Sequence, residues 1–119
     1  MSVSKTLLSA STNGRNIKVA ATATPGTTIH TCVSGTTAGT YDYVTLYAVN
    51  TSASPVVLTV ECGGTTSPDD LMVVTIPASA GEFLLFENRP FNNAVVIRAF
   101  AATANVINVR GEVTQAVTA

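Results

Sequence analysis

Short runs in which every second residue is apolar recur along this chain, and each stops at a cluster of glycine, proline, serine or asparagine. A period of two is what a strand with one buried face requires, and no stretch shows the three-to-four spacing of an amphipathic helix. The clearest case is Tyr43 to Gly64, YVTLYAVNTSASPVVLTVECGG. Val44, Leu46 and Ala48 point one way on its first run, and Thr45, Tyr47 and Val49 the other. Beyond the connector Asn50 to Pro55, one face carries Val56, Leu58, Val60 and Cys62, opposite Val57, Thr59 and Glu61. Pro55 offers no N–H to a ladder and belongs at a strand's start. Two alternating runs around a turn-rich connector predict a β-hairpin.

The rest of the chain repeats the pattern. Lys5 to Ser9 is short and runs into the Asn13-Gly14 turn signal, so residues 1–13 are expected to form an edge strand or an extended N-terminal arm. Arg15 to Ala23 alternates with Ile17, Val19 and Ala21 on one face, and Pro25-Gly26 stops it. In Thr27 to Val33, Ile29, Thr31 and Val33 oppose Thr28, His30 and Cys32. Leu71 to Ile76 places Met72, Val74 and Ile76 inward, and Glu82 to Phe86 is apolar on both faces. A strand of that last kind needs cover on its outer side, from the fold or from a partner. Ala94 to Ala101 and Val106 to Thr114 read as a closing hairpin. Strands at this spacing, joined by uneven loops, predict one all-β domain over residues 1–119, an antiparallel, jelly-roll-like sandwich of about eight strands.

Composition narrows the function. Charged residues make up 11% of the chain, against about 25% in an ordinary soluble domain. With 46% hydrophobic residues the chain is no disordered segment, and no run approaches the roughly 20 apolar residues of a membrane-spanning helix. The six basic residues are scattered, so no stripe is set to neutralise phosphates and nucleic acid is not an expected partner. No apolar stretch follows Lys5 as in a secretory signal, so unless a leader was removed maturation is expected where the chain is made, with Cys32 and Cys62 as free thiols rather than a disulfide.

Candidate chemistry is sparse. His30 is the single histidine, lies within a strand, and has no Gly-x-Ser-x-Gly elbow to serve, so a structural role is favoured over a hydrolase base. One histidine and two separated cysteines make no zinc spacing, and Asp69-Asp70 alone supplies too few oxygens for calcium and suits turn capping. Glu82 and Glu87, five apart on one strand, face opposite ways and fail as an acid/base pair. Neither a metal nor a cofactor is expected, and the chain reads as a non-enzyme. Tyr41, Tyr43 and Tyr47 share one face and form a candidate glycan platform, although aromatics packed over a sheet are the commoner arrangement. Arg98 lies in a strongly apolar strand and must reach solvent, an intrachain carboxylate or a neighbouring subunit. With Phe83, Leu85 and Phe86 it forms the candidate set for intersubunit or capsid contact.

Three stretches resemble the small structural proteins encoded by tailed bacteriophages: Val44 to Ser52 (VTLYAVNTS), Thr59 to Asp70 (TVECGGTTSPDD) and Val96 to Gly111 (VIRAFAATANVINVRG). The likeness lies in pattern and phrase from Val44 through Val113, with no catalytic motif. It implies a head decoration or cement protein, a β-sandwich that binds the major capsid protein as a homotrimer on the virion surface after synthesis in the host cytoplasm. The competing expectation is a carbohydrate-binding or adaptor module of a tail fibre or another tail or head-tail accessory protein.

Overall fold

The computed structural model describes residues 2–118, folded as nine strands with no helix among them. They are β1 (Ser2–Thr6), β2 (Ile17–Lys18), β3 (Thr27–Thr31), β4 (Tyr41–Asn50), β5 (Val56–Cys62), β6 (Leu71–Ile76), β7 (Phe83–Phe91), β8 (Val96–Ala101) and β9 (Ile107–Val117). Sheet A runs β1-β9-β4-β7, with β2 also on β9, and sheet B runs β3-β8-β5-β6. β1 lies along Val113 to Val117 and β2 along Asn108 and Val109, so the two share one lane and each sheet is four lanes wide. Every ladder is antiparallel. Within the sheets β2 pairs with β9, β3 with β8, β4 with β7 and β5 with β6, a nested set that is one long hairpin rolled up on itself. That connectivity is the jelly roll.

On β4, β5 and β6 the predicted inward faces are the observed ones. Val44, Leu46 and Ala48 from sheet A meet Val56, Leu58 and Val60 from sheet B, all at most 5% exposed. Ile29, Ile76, Ile97, Ile107, Val109 and Val113 complete the core between the sheets. Branched aliphatic side chains suit this setting because their restricted χ1 loses little further freedom on a pleated surface.

The predicted hairpins are not hairpins. β4 belongs to sheet A and β5 to sheet B, so Thr51 to Pro55 arches from one sheet to the other, and Ala102 to Val106 does the same between β8 and β9. Alternation specifies which side chains point inward but not which strand lies alongside, and both connections satisfy it. Buried Asn50 holds the first arch: its amide donates to the carbonyls of Ser54 and Ile76, and its Oδ1 accepts from the Ser52 N–H and hydroxyl. The two arches are joined where the Thr51 N–H and hydroxyl both donate to the Val106 carbonyl.

Bulges revise two further expectations. A register shift between Thr28 and His30 turns Ile29 and His30 inward in succession, so His30 and Cys32 are buried rather than opposed to Ile29. On β7, Phe83 faces Ala48, Leu84 faces Tyr47 and Phe86 faces Leu46, with Leu85 as the extra residue. Both phenylalanines thus turn toward the core and Leu84 is left outside, 45% exposed.

Candidate functional site

At one end of the sandwich, β3 delivers His30 and β4 delivers Asp42 into the space between the sheets. His30 Nδ1 accepts the Ser9 N–H at 2.9 Å, so that nitrogen carries no proton and Nε2–H is the donor to Asp42 Oδ2, 2.7 Å away. The same carboxylate oxygen accepts the Val33 N–H at 3.1 Å, and Oδ1 accepts the Gln115 amide at 2.9 Å. Asp42 therefore joins sheet B, the β3–β4 loop and the terminal strand. Ser9 also receives the Thr31 N–H on its hydroxyl, which fastens the β1–β2 connector to the edge of β3.

Cys32 Sγ lies close by, and one potential ligand atom from each of His30, Cys32 and Asp42 falls within 4.8 Å of the others. This arrangement does not fit a metal. A ligating imidazole donates its second ring N–H outward, whereas Nδ1 here faces a backbone donor. The 2.7 Å between Nε2 and Oδ2 is a hydrogen-bond separation, with the donor proton occupying the direction a metal would need. Nor does it fit nucleophilic catalysis. Both ring nitrogens are engaged, the imidazole is buried, and burial together with the Asp42 charge pushes the Cys32 thiol up to about 12, far from thiolate. The network can hold elements together.

A second buried carboxylate does similar work on the outer face of sheet B. Glu61 is 0% exposed, accepts the Thr24 hydroxyl and the Gly26 N–H at 2.6 Å each, and binds the β2–β3 connector over the sheet. Gly26 lies directly above the Ala99 backbone, where a Cβ would come within 2.5 Å of the carbonyl. Both carboxylates escaped the sequence reading, although parity carried a signal. Asp42 continues the inward series Ala48, Leu46, Val44, and an acid in an inward position needs a buried donor. The partners, far away in sequence, were not legible.

The remaining sequence candidates are dispersed. Asp70 caps its own loop, accepting the Thr66 N–H at 3.1 Å. Glu82 pairs with Arg110 at 2.9 Å. Cys32 and Cys62 are both free. Arg98 sits half-buried on the outer face of sheet B with no carboxylate within ion-pair distance among the described residues. Phe83 and Leu85 pack against the core and Phe86 is buried within it, so these three do not form an outward contact surface with Arg98. Tyr41, Tyr43 and Tyr47 do share the outer face of sheet A, but Tyr41 and Tyr43 meet edge to face, with centroids 5.9 Å apart and planes at 63°, which is no flat platform.

Two surface features were not anticipated. On the outer face of sheet B, the register sets Val73 and Phe100 on either side of Thr59, with Val57 next along β5 and Leu71 opposite the covered Glu61, an apolar patch bordered by Arg98. Between the edges of the two sheets, Cys62, Met72, Phe86, Arg89, Pro90 and Phe91 line an apolar cavity of about 430 Å³. Comparison with family models, curated proteins and solved structures finds no match for the chain.

Proposed function

We propose that this chain is a non-enzymatic structural protein of a bacteriophage virion, a decoration or cement protein that binds the major capsid protein on the outer head surface as a homotrimer. The supporting observation is the apolar patch of Val57, Leu71, Val73 and Phe100, bordered by Arg98, on a protein with few charges anywhere. Such a face suits a lasting contact, since apolar groups lose nothing by leaving water and few charges must be stripped of their hydration. The jelly roll is compatible with this role, being used by viral capsid proteins, but lectins and cupins use it too, so the weight rests on the surface and on the resemblance. Repetition over a shell turns a modest contact into strong retention. Light scattering over a range of concentrations tests the assembly state: the reading predicts a constant mass of three 12.2 kDa chains, and a monomer throughout contradicts the trimer.

One observation favours a second reading, a carbohydrate-binding or adaptor module of a tail fibre. Tyr47, Glu82, Arg110, Gly111 and Glu112 line a small polar cavity of about 210 Å³, with a ring, two acids and a guanidinium of the kind that hydrogen-bond sugars. Glycan-array binding lost on Tyr47→Ala, but kept on Tyr41→Ala, would place the function there.

A further inference from the structure

Four lanes of the sandwich lie at sheet edges, and three are blocked against strand addition. The lane of β1 and β2 is broken into two short strands, and the first carries exposed Lys5. The edge of β3 is occupied by the β1–β2 connector, where Ala10 N–H donates to the Ile29 carbonyl and the Ser9 hydroxyl takes the Thr31 N–H. β7 has two register shifts, Asn88 at φ 51°, Pro90, and the exposed charges Glu87 and Arg89. These are the devices by which proteins keep edges from pairing.

β6 has none of them. Leu71 to Ile76, LMVVTI, contains no charge, proline or glycine and pairs with β5 in unbroken register over all six residues. The Cys62 N–H donates to the Asp70 carbonyl, which makes that pair a hydrogen-bonded one and fixes the alternation beyond it. Met72, Val74 and Ile76 therefore direct their backbone groups at β5. Val73 and Thr75 direct an N–H and a C=O each away from the sheet, and Leu71 its C=O.

The apolar cavity lies beside this edge. Its walls come from the inward face of β6 at Met72, from the end of β5 at Cys62, and from β7 at Phe86 and Phe91. A strand laid along β6 would turn alternate side chains inward, and the one opposite Met72 would enter the cavity. At its mouth Arg89 stands 6.0 Å from the Phe86 ring centroid and has no carboxylate partner among the described residues.

We propose that β6 is an acceptor for β-strand addition, and that its occupant is an extended segment of another protein bearing an apolar anchor for the cavity and a carboxylate for Arg89. Main-chain hydrogen bonds to Val73 and Thr75 supply affinity, and the cavity and the guanidinium supply selectivity. A second copy is a poor occupant, since the free edge it offers is its own β6, which carries no acid for Arg89. The inference goes beyond the virion reading and stands on the edge geometry without it.

The test uses the intact chain and a capped heptapeptide, threonine alternating with valine, leucine and glutamate, together with its reversed sequence so that both strand directions are offered. Amide NMR should show one-to-one binding of one of the two, with shifts and slowed hydrogen exchange at Val73 and Thr75. Thr75→Pro removes an outward N–H without touching the β5 ladder, a position where edge strands tolerate proline. It should leave the spectrum of the rest of the fold in place and weaken binding by about tenfold or more. Arg89→Glu should reverse the preference toward a peptide with lysine in place of glutamate. No binding of either peptide at millimolar concentration, shifts confined to another edge, or affinity unchanged in Thr75→Pro would each overturn the proposal. So would a homo-oligomer that Thr75→Pro dissociates, because the occupant would then be a second copy.

Discussion

Asp42 is the residue on which most depends, because one carboxylate satisfies His30, the Val33 N–H and the Gln115 amide. Replacing it with alanine strands three buried or half-buried donors. A fully buried orphan costs about 1–3 kcal/mol and a half-buried one less, so Asp42→Ala should lose about 3 kcal/mol in urea unfolding. His30→Ala should cost less, since it frees the Ser9 N–H near the surface and leaves Asp42 with two donors. Cys32 gives a pH signature. Its thiol is raised from 9.0 to about 12, so between those values the unfolded chain has lost a proton that the folded chain keeps. Stability from this group is whole below pH 9 and is lost as pH rises toward 12, with a slope near −1.4 kcal/mol per pH unit at most. Wild type should therefore lose more stability over that range than Cys32→Ala, and equal slopes for the two would refute the assignment. The Cys62 thiol is also raised, by burial first and by Asp70, against the opposing pull of Arg89.

At the scale of elements, two close approaches set the geometry. Gly111 on β9 lies against β4 so tightly that a Cβ would collide with the Thr45 carbonyl, and Gly111→Ala should force the two central strands of sheet A apart. A fall in melting temperature of several degrees, with β4 and β9 amides exchanging faster, is the expected result. Free β6 should make the isolated protein prone to aggregate, and Val73→Lys, on the outer face, should raise its solubility without altering its fold. The inward series on β4, β5 and β6 was readable from alternation alone, as was the all-β class. What was not readable was whatever depends on a residue far along the chain. Thr51 to Pro55 looks like a hairpin loop until Ile76 and Val106 arrive to hold it as an arch. The bulges at Ile29 and Leu85 are set by partner strands; the first turns His30 inward and the second brings both phenylalanines to the core side of β7.

Taken whole, the molecule is a slab of 47 × 28 × 20 Å whose thin dimension is two packed sheets. Sheet A presents tyrosines and ion pairs outward, and sheet B presents an apolar patch, bordered by Arg98, continuous with an unblocked edge. That asymmetry suits the proposed seat on a larger surface, with the sheet B side toward the capsid. Mixing the purified chain with phage heads assembled without it, and sedimenting them, tests the proposed capsid binding. A decoration protein should pellet with the heads, saturate at a multiple of three copies per site and raise their melting temperature. A chain that stays in the supernatant at every ratio, and heads that melt unchanged, would contradict it.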